Sequence, residues 1–92
     1  MARAFISTQA FRQAYRRLRA EDRARIHEAW DRIASYLERG RPATGLTVKA
    51  LGQDVREIRV TPAIRIVCVT ESSRAVLALL GTHDEIRRAL KR

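Results

Sequence analysis

The chain is poor in cysteine, histidine and acid: one Cys, two His and 10 acidic side chains against 19 basic ones in 92 residues, with no apolar run of membrane-spanning length. Each shortage excludes something. Cys68 alone cannot close an internal disulfide, and its place in an apolar stretch marks a buried thiol rather than a nucleophile or ligand. His83 is followed by Asp84 and Glu85, but no second histidine or cysteine stands at ligand spacing, so neither a metal nor any other cofactor is expected. An N-terminus without a charged-then-apolar leader, and no apolar span, place the expected protein in the cytoplasm and off the membrane. No repeat, low-complexity tract or linker interrupts the chain, and residues 1–92 are read as a single domain.

What is abundant is arginine. The formal net charge is +9, spread over both halves of the chain. Such a field attracts nucleic acid, an acidic protein or an anionic surface, without choosing among them. Taken singly, most of these arginines are expected to be solvated surface.

Hydrophobic periodicity organises the rest. Arg56-Glu57-Ile58-Arg59-Val60 alternates charged and apolar residues, the pattern of a strand with one packed face. After Thr61-Pro62-Ala63, the β-branched run Ile64 to Thr70 reads as the central strand, Glu71 to Arg74 as a turn, and Ala75 to Leu80 as a third antiparallel strand. Upstream, Arg3 to Ile6 could pair at one sheet edge, and Ser7 or Thr8 could cap a helix carrying Phe11, Ala14, Tyr15 and Leu18 on one face. Glu21 and Asp22 suit the start of a second helix, with Ile26, Ala29, Trp30, Ile33 and Leu37 on its apolar stripe and Gly40 as its cap. Trp30 then belongs to the core and His27 to the surface. Residues 41–45 read as loop, and Leu46 to Leu51 as a short strand or an extended lead-in. Asp84 to Leu90 forms a short helix with Arg87, Arg88, Lys91 and Arg92 exposed. The fold class is therefore α+β: an N-terminal strand, a helical hairpin, an antiparallel sheet of three to four strands and a short C-terminal helix.

The helical hairpin covers one face of that sheet, so chemistry is expected on the other. If Val60 pairs with Ile64, Arg59 lies opposite Arg65, and two like charges face each other. Either a phosphate binds between them, or Glu57 or Glu71 neutralises one, or the turn is longer and they never meet; the residues leave these open. His83 could exchange a proton near neutral pH, or could simply be a polar residue at a helix start. Cations plus one histidine suit RNA cleavage by its own 2′-hydroxyl.

These segments, in this order, resemble the RelE/ParE toxin superfamily of bacterial type II toxin–antitoxin systems: Gly40-Arg41-Pro42, Lys49-Ala50-Leu51-Gly52, Arg56 to Val60, Ile64 to Val67, and Gly81-Thr82-His83 before a basic helix. The last of these and Arg56-Glu57 are similar to the RelE/YafQ-like mRNA interferases. The resemblance implies a microbial-ribonuclease-like RelE fold and ribosome-dependent, metal-independent mRNA endoribonuclease activity that blocks translation. It also implies a cognate antitoxin, contact with operator DNA only through the antitoxin complex, and a role in plasmid stabilisation. It assigns proton transfer to His83, a phosphate-binding and transition-state role to Arg65, a catalytic position to Arg59, where the YafQ-like branch carries an active-site histidine and other relatives a basic residue, and a further catalytic cation to Lys49. Arg56, Arg87, Arg88 and Lys91 are expected to contact RNA or the ribosome. The chain departs from that pattern at Ala63, Ile64 and Arg87, where the YafQ-like branch carries an aspartate, a tryptophan and a terminal aromatic. A ParE-like DNA gyrase inhibitor without nuclease activity, or a catalytically weak antitoxin-binding relative, would tolerate those losses.

Overall fold

The computed structural model of the chain describes residues 3–41 and 45–91. Pro42, Ala43 and Thr44 of the expected loop, and Arg92, lie outside the described residues. The elements run β1 (Ala4–Ser7), α1 (Gln9–Arg17), α2 (Ala20–Arg39), β2 (Thr47–Ala50), β3 (Val55–Arg59), β4 (Ile64–Thr70), β5 (Arg74–Thr82) and α3 (His83–Leu90). They build one five-stranded sheet in the order β1-β5-β4-β3-β2. The α+β class and the expected order hold, with β4 in the centre, but the sheet has five strands and is mixed, because β1 runs parallel to β5. Leu46 to Leu51 resolves to a true edge strand, and Arg74 opens β5 instead of closing the turn.

Local chemistry explains the boundaries. Thr8 caps α1, its hydroxyl accepting from the Phe11 N–H at 3.1 Å, a contact of the kind that contributes about 1 kcal/mol. The same hydroxyl donates to the Ala78 carbonyl at 2.7 Å. That carbonyl belongs to an irregularity: Val67 pairs with Leu79 but Cys68 pairs with Leu77, leaving Ala78 as the extra residue of a bulge. The bulge switches the alternation of β5, so that Leu77 and Leu80 both join the core. Glu21 and Asp22 occupy the first turn of α2, and Gly40 ends it with φ 77°, a left-handed conformation that glycine takes without penalty.

The core lies between the helices and one face of the sheet. Ile58, Ile66 and Leu80 form a row across β3, β4 and β5, and cluster with Phe11 of α1 and Ile26, Ile33 and Leu37 of α2. Trp30 is only half-buried at the edge of this core, with its ring edge-on to Phe5 at 5.7 Å between centroids. His27 is exposed but not idle, since its Nε2 meets the Tyr15 hydroxyl at 2.6 Å.

Burial pushes the Cys68 thiol up from 9.0 to about 11, with Arg56 partly opposing the shift. A raised thiol value means that the unfolded chain ionises first. Stability is intact below pH 9.0 and falls as the pH climbs toward about 11, by roughly 3 kcal/mol in all. A urea titration of the protein beside Cys68→Ala should show this alkaline loss only in the parent, and the native thiol should resist thiol reagents at neutral pH.

The second face of the sheet is not bare. Val67 and Ile86 are buried yet stand outside the main cluster, and α3 packs against β5 and β4 after the chain reverses at Thr82. The reversal is held by a capping box: the Thr82 N–H donates to Glu85 Oε1 at 2.8 Å, and the Glu85 N–H to Thr82 Oγ1 at 3.3 Å. The Thr82 amide bond is the main cause holding the Glu85 carboxyl below its ordinary value. Gly81 is required beneath it, because a β-carbon there would sit 2.9 Å from Glu85 Oε1 and 3.2 Å from Glu85 Cβ. Gly81→Ala should therefore break the box and cost about 1 kcal/mol, read as a melting point lower by about 5 °C. An unchanged melting point would show that the side chain moves aside freely.

Candidate active site

The strand registers bring the basic residues of the second face together. One row across the sheet reads Thr47, Arg59, Arg65, Gly81, and the next reads Lys49, Glu57, Val67, Leu79. Side chains two apart on a strand share a face. Lys49, Glu57, Arg59 and Arg65 therefore lie on one surface, and His83 opens α3 two residues beyond Gly81.

The hairpin that sets this register is local. Val60 N–H donates to the Ile64 carbonyl at 2.9 Å, while Thr61 Oγ1 accepts from the Ala63 and Ile64 N–H groups at 3.1 and 2.9 Å. A threonine hydroxyl that closes its own turn explains why so short a connection works. Arg59 thus stands directly opposite Arg65.

Their environments differ sharply. Arg65 donates from Nη1 to Glu57 Oε1 at 2.8 Å, and the two side chains are only 13% and 9% exposed. Its Nε is enclosed with no partner among the described residues. Arg59 is exposed. The arginines do face each other, and of the readings left open by the sequence the one in which Glu57 neutralises an arginine is realised, at Arg65. Glu71 is bound instead to its neighbour Arg74, which holds its carboxyl below the ordinary value.

The remaining basic residues fall elsewhere. Arg56 points away from Glu57 and Arg59, and its guanidinium donates to the carbonyls of Gly52, Gln53 and Val55 at 2.9, 3.2 and 3.0 Å, bracing the β2–β3 turn. Arg87, Arg88 and Lys91 line a shallow depression on α3 together with Asp84. Glu57, which the sequence offers beside Glu71 as a neutraliser of one arginine, is the acidic member of this surface. It is the one acidic residue in all five strands, and the signal that finds it is its spacing of two from Arg59.

A more apolar hollow lies on the other side of the sheet. A cleft of about 460 Å³ between α1 and α2 is lined by Phe11, Tyr15, Ile26, Trp30 and Leu77, with Arg12 among the polar residues beside them. Leu77 faces the helices, so this cleft is separated by the sheet from Arg59 and Arg65. Among the described residues, no group of three or more His, Cys, Asp or Glu side chains could hold a metal ion. No helix there is long and apolar enough to cross a membrane.

This architecture is the fold of RelE- and YafQ-type toxins. A chain of the RelB–RelE antitoxin–toxin complex from Methanococcus jannaschii superposes with a TM-score of 0.71 at 12% identity, over 91% of this chain and 96% of that one. A chain of the Escherichia coli DinJ–YafQ toxin–antitoxin complex gives 0.67 at 12% identity, over 94% and 98%. A metal-bound toxin from Helicobacter pylori gives 0.64 at 16% identity, over 90% and 97%. No protein-family model matches the sequence, and no curated protein matches it.

Proposed function

We propose that the protein is the toxin of a type II toxin–antitoxin system and acts as a ribosome-dependent mRNA endoribonuclease that blocks translation. The observation that carries this reading is the cationic second face. Arg59 and Arg65 are opposed across β3 and β4, Lys49 shares their surface, and His83 follows the neighbouring strand. An arginine with an enclosed, unpartnered Nε and an exposed arginine opposite it suit a phosphodiester and the greater charge of its transition state. In this reading the net charge of +9 serves contact with mRNA and ribosomal RNA, to which Arg87, Arg88 and Lys91 contribute from α3. Two of the structural neighbours come from antitoxin complexes, which supports a cognate antitoxin here, in the cytoplasm, with operator DNA reached only through that complex.

The test is primer extension on an mRNA in a reconstituted translation system, with and without ribosomes, beside His83→Ala. The expected result is cleavage within codons that requires ribosomes and falls about 100-fold or more in the variant, the range for loss of a general acid or base. A folded His83→Ala protein that cleaves at the parental rate would remove His83 from the chemistry. Growth arrest without any cleavage would point to a ParE-like gyrase inhibitor, which the departures at Ala63 and Ile64 would suit.

A further inference from the structure

We infer that the cleft between α1 and α2 binds a single-headed anionic amphiphile, a long-chain carboxylate whose tail lies on the apolar floor and whose headgroup meets Arg16. The cleft is on the other side of the sheet from Arg59 and Arg65, so the site stands apart from the nuclease reading and does not depend on it.

The apolar stripes of the two helices build the floor. Phe11 of α1, Ile26 of α2 and Leu77 of β5 are buried at its base, and Trp30 stands half-buried at one wall with its ring edge-on to Phe5. The helices are the outer layer on this side, because α3 packs on the opposite face, and the cleft opens to solvent. Its volume of about 460 Å³ falls within the range of small-molecule sites, about 300–1,000 Å³. Of these four side chains only Trp30 carries a polar atom, so the floor selects for apolar area and not for a pattern of polar groups. A hydrocarbon chain supplies that area, since each methylene moved from water onto such a floor is favourable.

The rim supplies one open charge. Its polar side chains are paired among themselves, with a single exception. Arg12 donates to the Ser7 carbonyl, and to Ser7 Oγ at 3.1 Å, while the Tyr15 hydroxyl and His27 Nε2 are bonded to each other at 2.6 Å. Arg16, one helical turn beyond Arg12, is exposed and takes part in none of the ion pairs among the described residues. No acidic side chain among the described residues lines the cleft. A guanidinium with its donors open suits a carboxylate, which it holds through two parallel hydrogen bonds.

One open cation above one apolar floor matches one headgroup on one tail. A second copy of the chain would bring another cationic rim against this one, from a molecule of net charge +9. An acidic helix laid in the cleft would present several carboxylates and needs apolar anchors repeated every third or fourth residue. Against it, α1 offers nine residues, a length of about 14 Å, and a single unpaired arginine at the rim.

The reporter for the experiment is already in place, since Trp30 is the chain's only tryptophan. Decanoate is titrated into the full chain below its micelle concentration, beside decyltrimethylammonium, with Trp30 fluorescence giving affinity and calorimetry giving stoichiometry. Decanoate should saturate one site per chain, and each methylene added to or removed from the tail should change the affinity about fourfold. Arg16→Gln should weaken binding about 10-fold, whereas Arg32→Gln, at an exposed position of α2 outside the cleft, should leave it unchanged. Both substitutions are on the surface, so the fold is retained. Equal affinity for the ammonium surfactant, indifference to tail length, uptake of many decanoates without saturation, or parental affinity in Arg16→Gln would each overturn the assignment. So would a protein that sediments as a dimer with Trp30 shielded, which would put a second copy in the cleft, or an amphipathic Leu/Glu peptide that binds there when decanoate does not.

Discussion

Arg65→Met should cost about 3–5 kcal/mol, the penalty for stripping one partner from a buried ion pair. The Glu57 side chain is 9% exposed and has Arg65 Nη1 as its bonded cation at 2.8 Å. Without it, a carboxylate would remain largely enclosed and unpaired. A domain of this length has a total stability on the order of 5–14 kcal/mol, so the single variant should be close to unfolding at modest urea. The double variant Glu57→Leu/Arg65→Met should recover most of that loss, because two apolar groups of similar volume leave nothing to desolvate. Urea midpoints of the parent, single and double variants measure this directly. A double variant as unstable as the single one would mean that the pair contributes through packing. The comparison also protects the functional argument, since an inactive but stable double variant separates chemistry from folding.

Ile66→Ala should cost about 2–5 kcal/mol, the range for deleting a fully buried aliphatic side chain whose surroundings relax only in part. Ile66 is 0% exposed, lies between Ile58 and Leu80 in the middle of the sheet, and shares the core cluster with Ile33 and Leu37. Alanine there would leave a void under α2, the longest helix of the fold, and remove a β-branched residue from the central strand. Ile6→Ala, on β1 and 40% exposed, is the natural control and should shift the urea midpoint far less. Equal shifts for the two would contradict the placement of the core.

Much of this was legible because the determinants are local. Thr8, Gly40 and the run from Thr61 to Ala63 each act on residues within a few positions, through a hydroxyl, a missing side chain or a turn, and the sequence alone places them well. The opposition of Arg59 and Arg65 follows from that one turn. What was not legible depends on distant partners. Nothing near Ala4 says that it lies parallel to Arg74, and nothing in Ala75 to Leu80 announces the bulge at Ala78 that Thr8 takes up. Likewise Glu57 could have turned to Lys49, directly opposite it, and the choice of Arg65 on the diagonal is settled by three-dimensional packing. The packing of α3 against β5 and β4 was hidden for the same reason. Whether α3 swings out or folds back hangs on Gly81 and Glu85, whose contact exists only once β5 has formed.

The parallel pairing of the first strand with the last has a consequence for how the protein comes into being. Thr8 and Ala78 are bonded across 70 residues of sequence, so the sheet cannot close around its hairpin until almost the whole chain is available. Contacts this distant are formed late and slowly. A nascent chain would therefore leave the ribosome with α1 and α2 made but their apolar stripes uncovered, and the basic face unassembled until synthesis was nearly over. Under the proposed function, such a delay would separate the machine that makes the protein from the moment at which it becomes active.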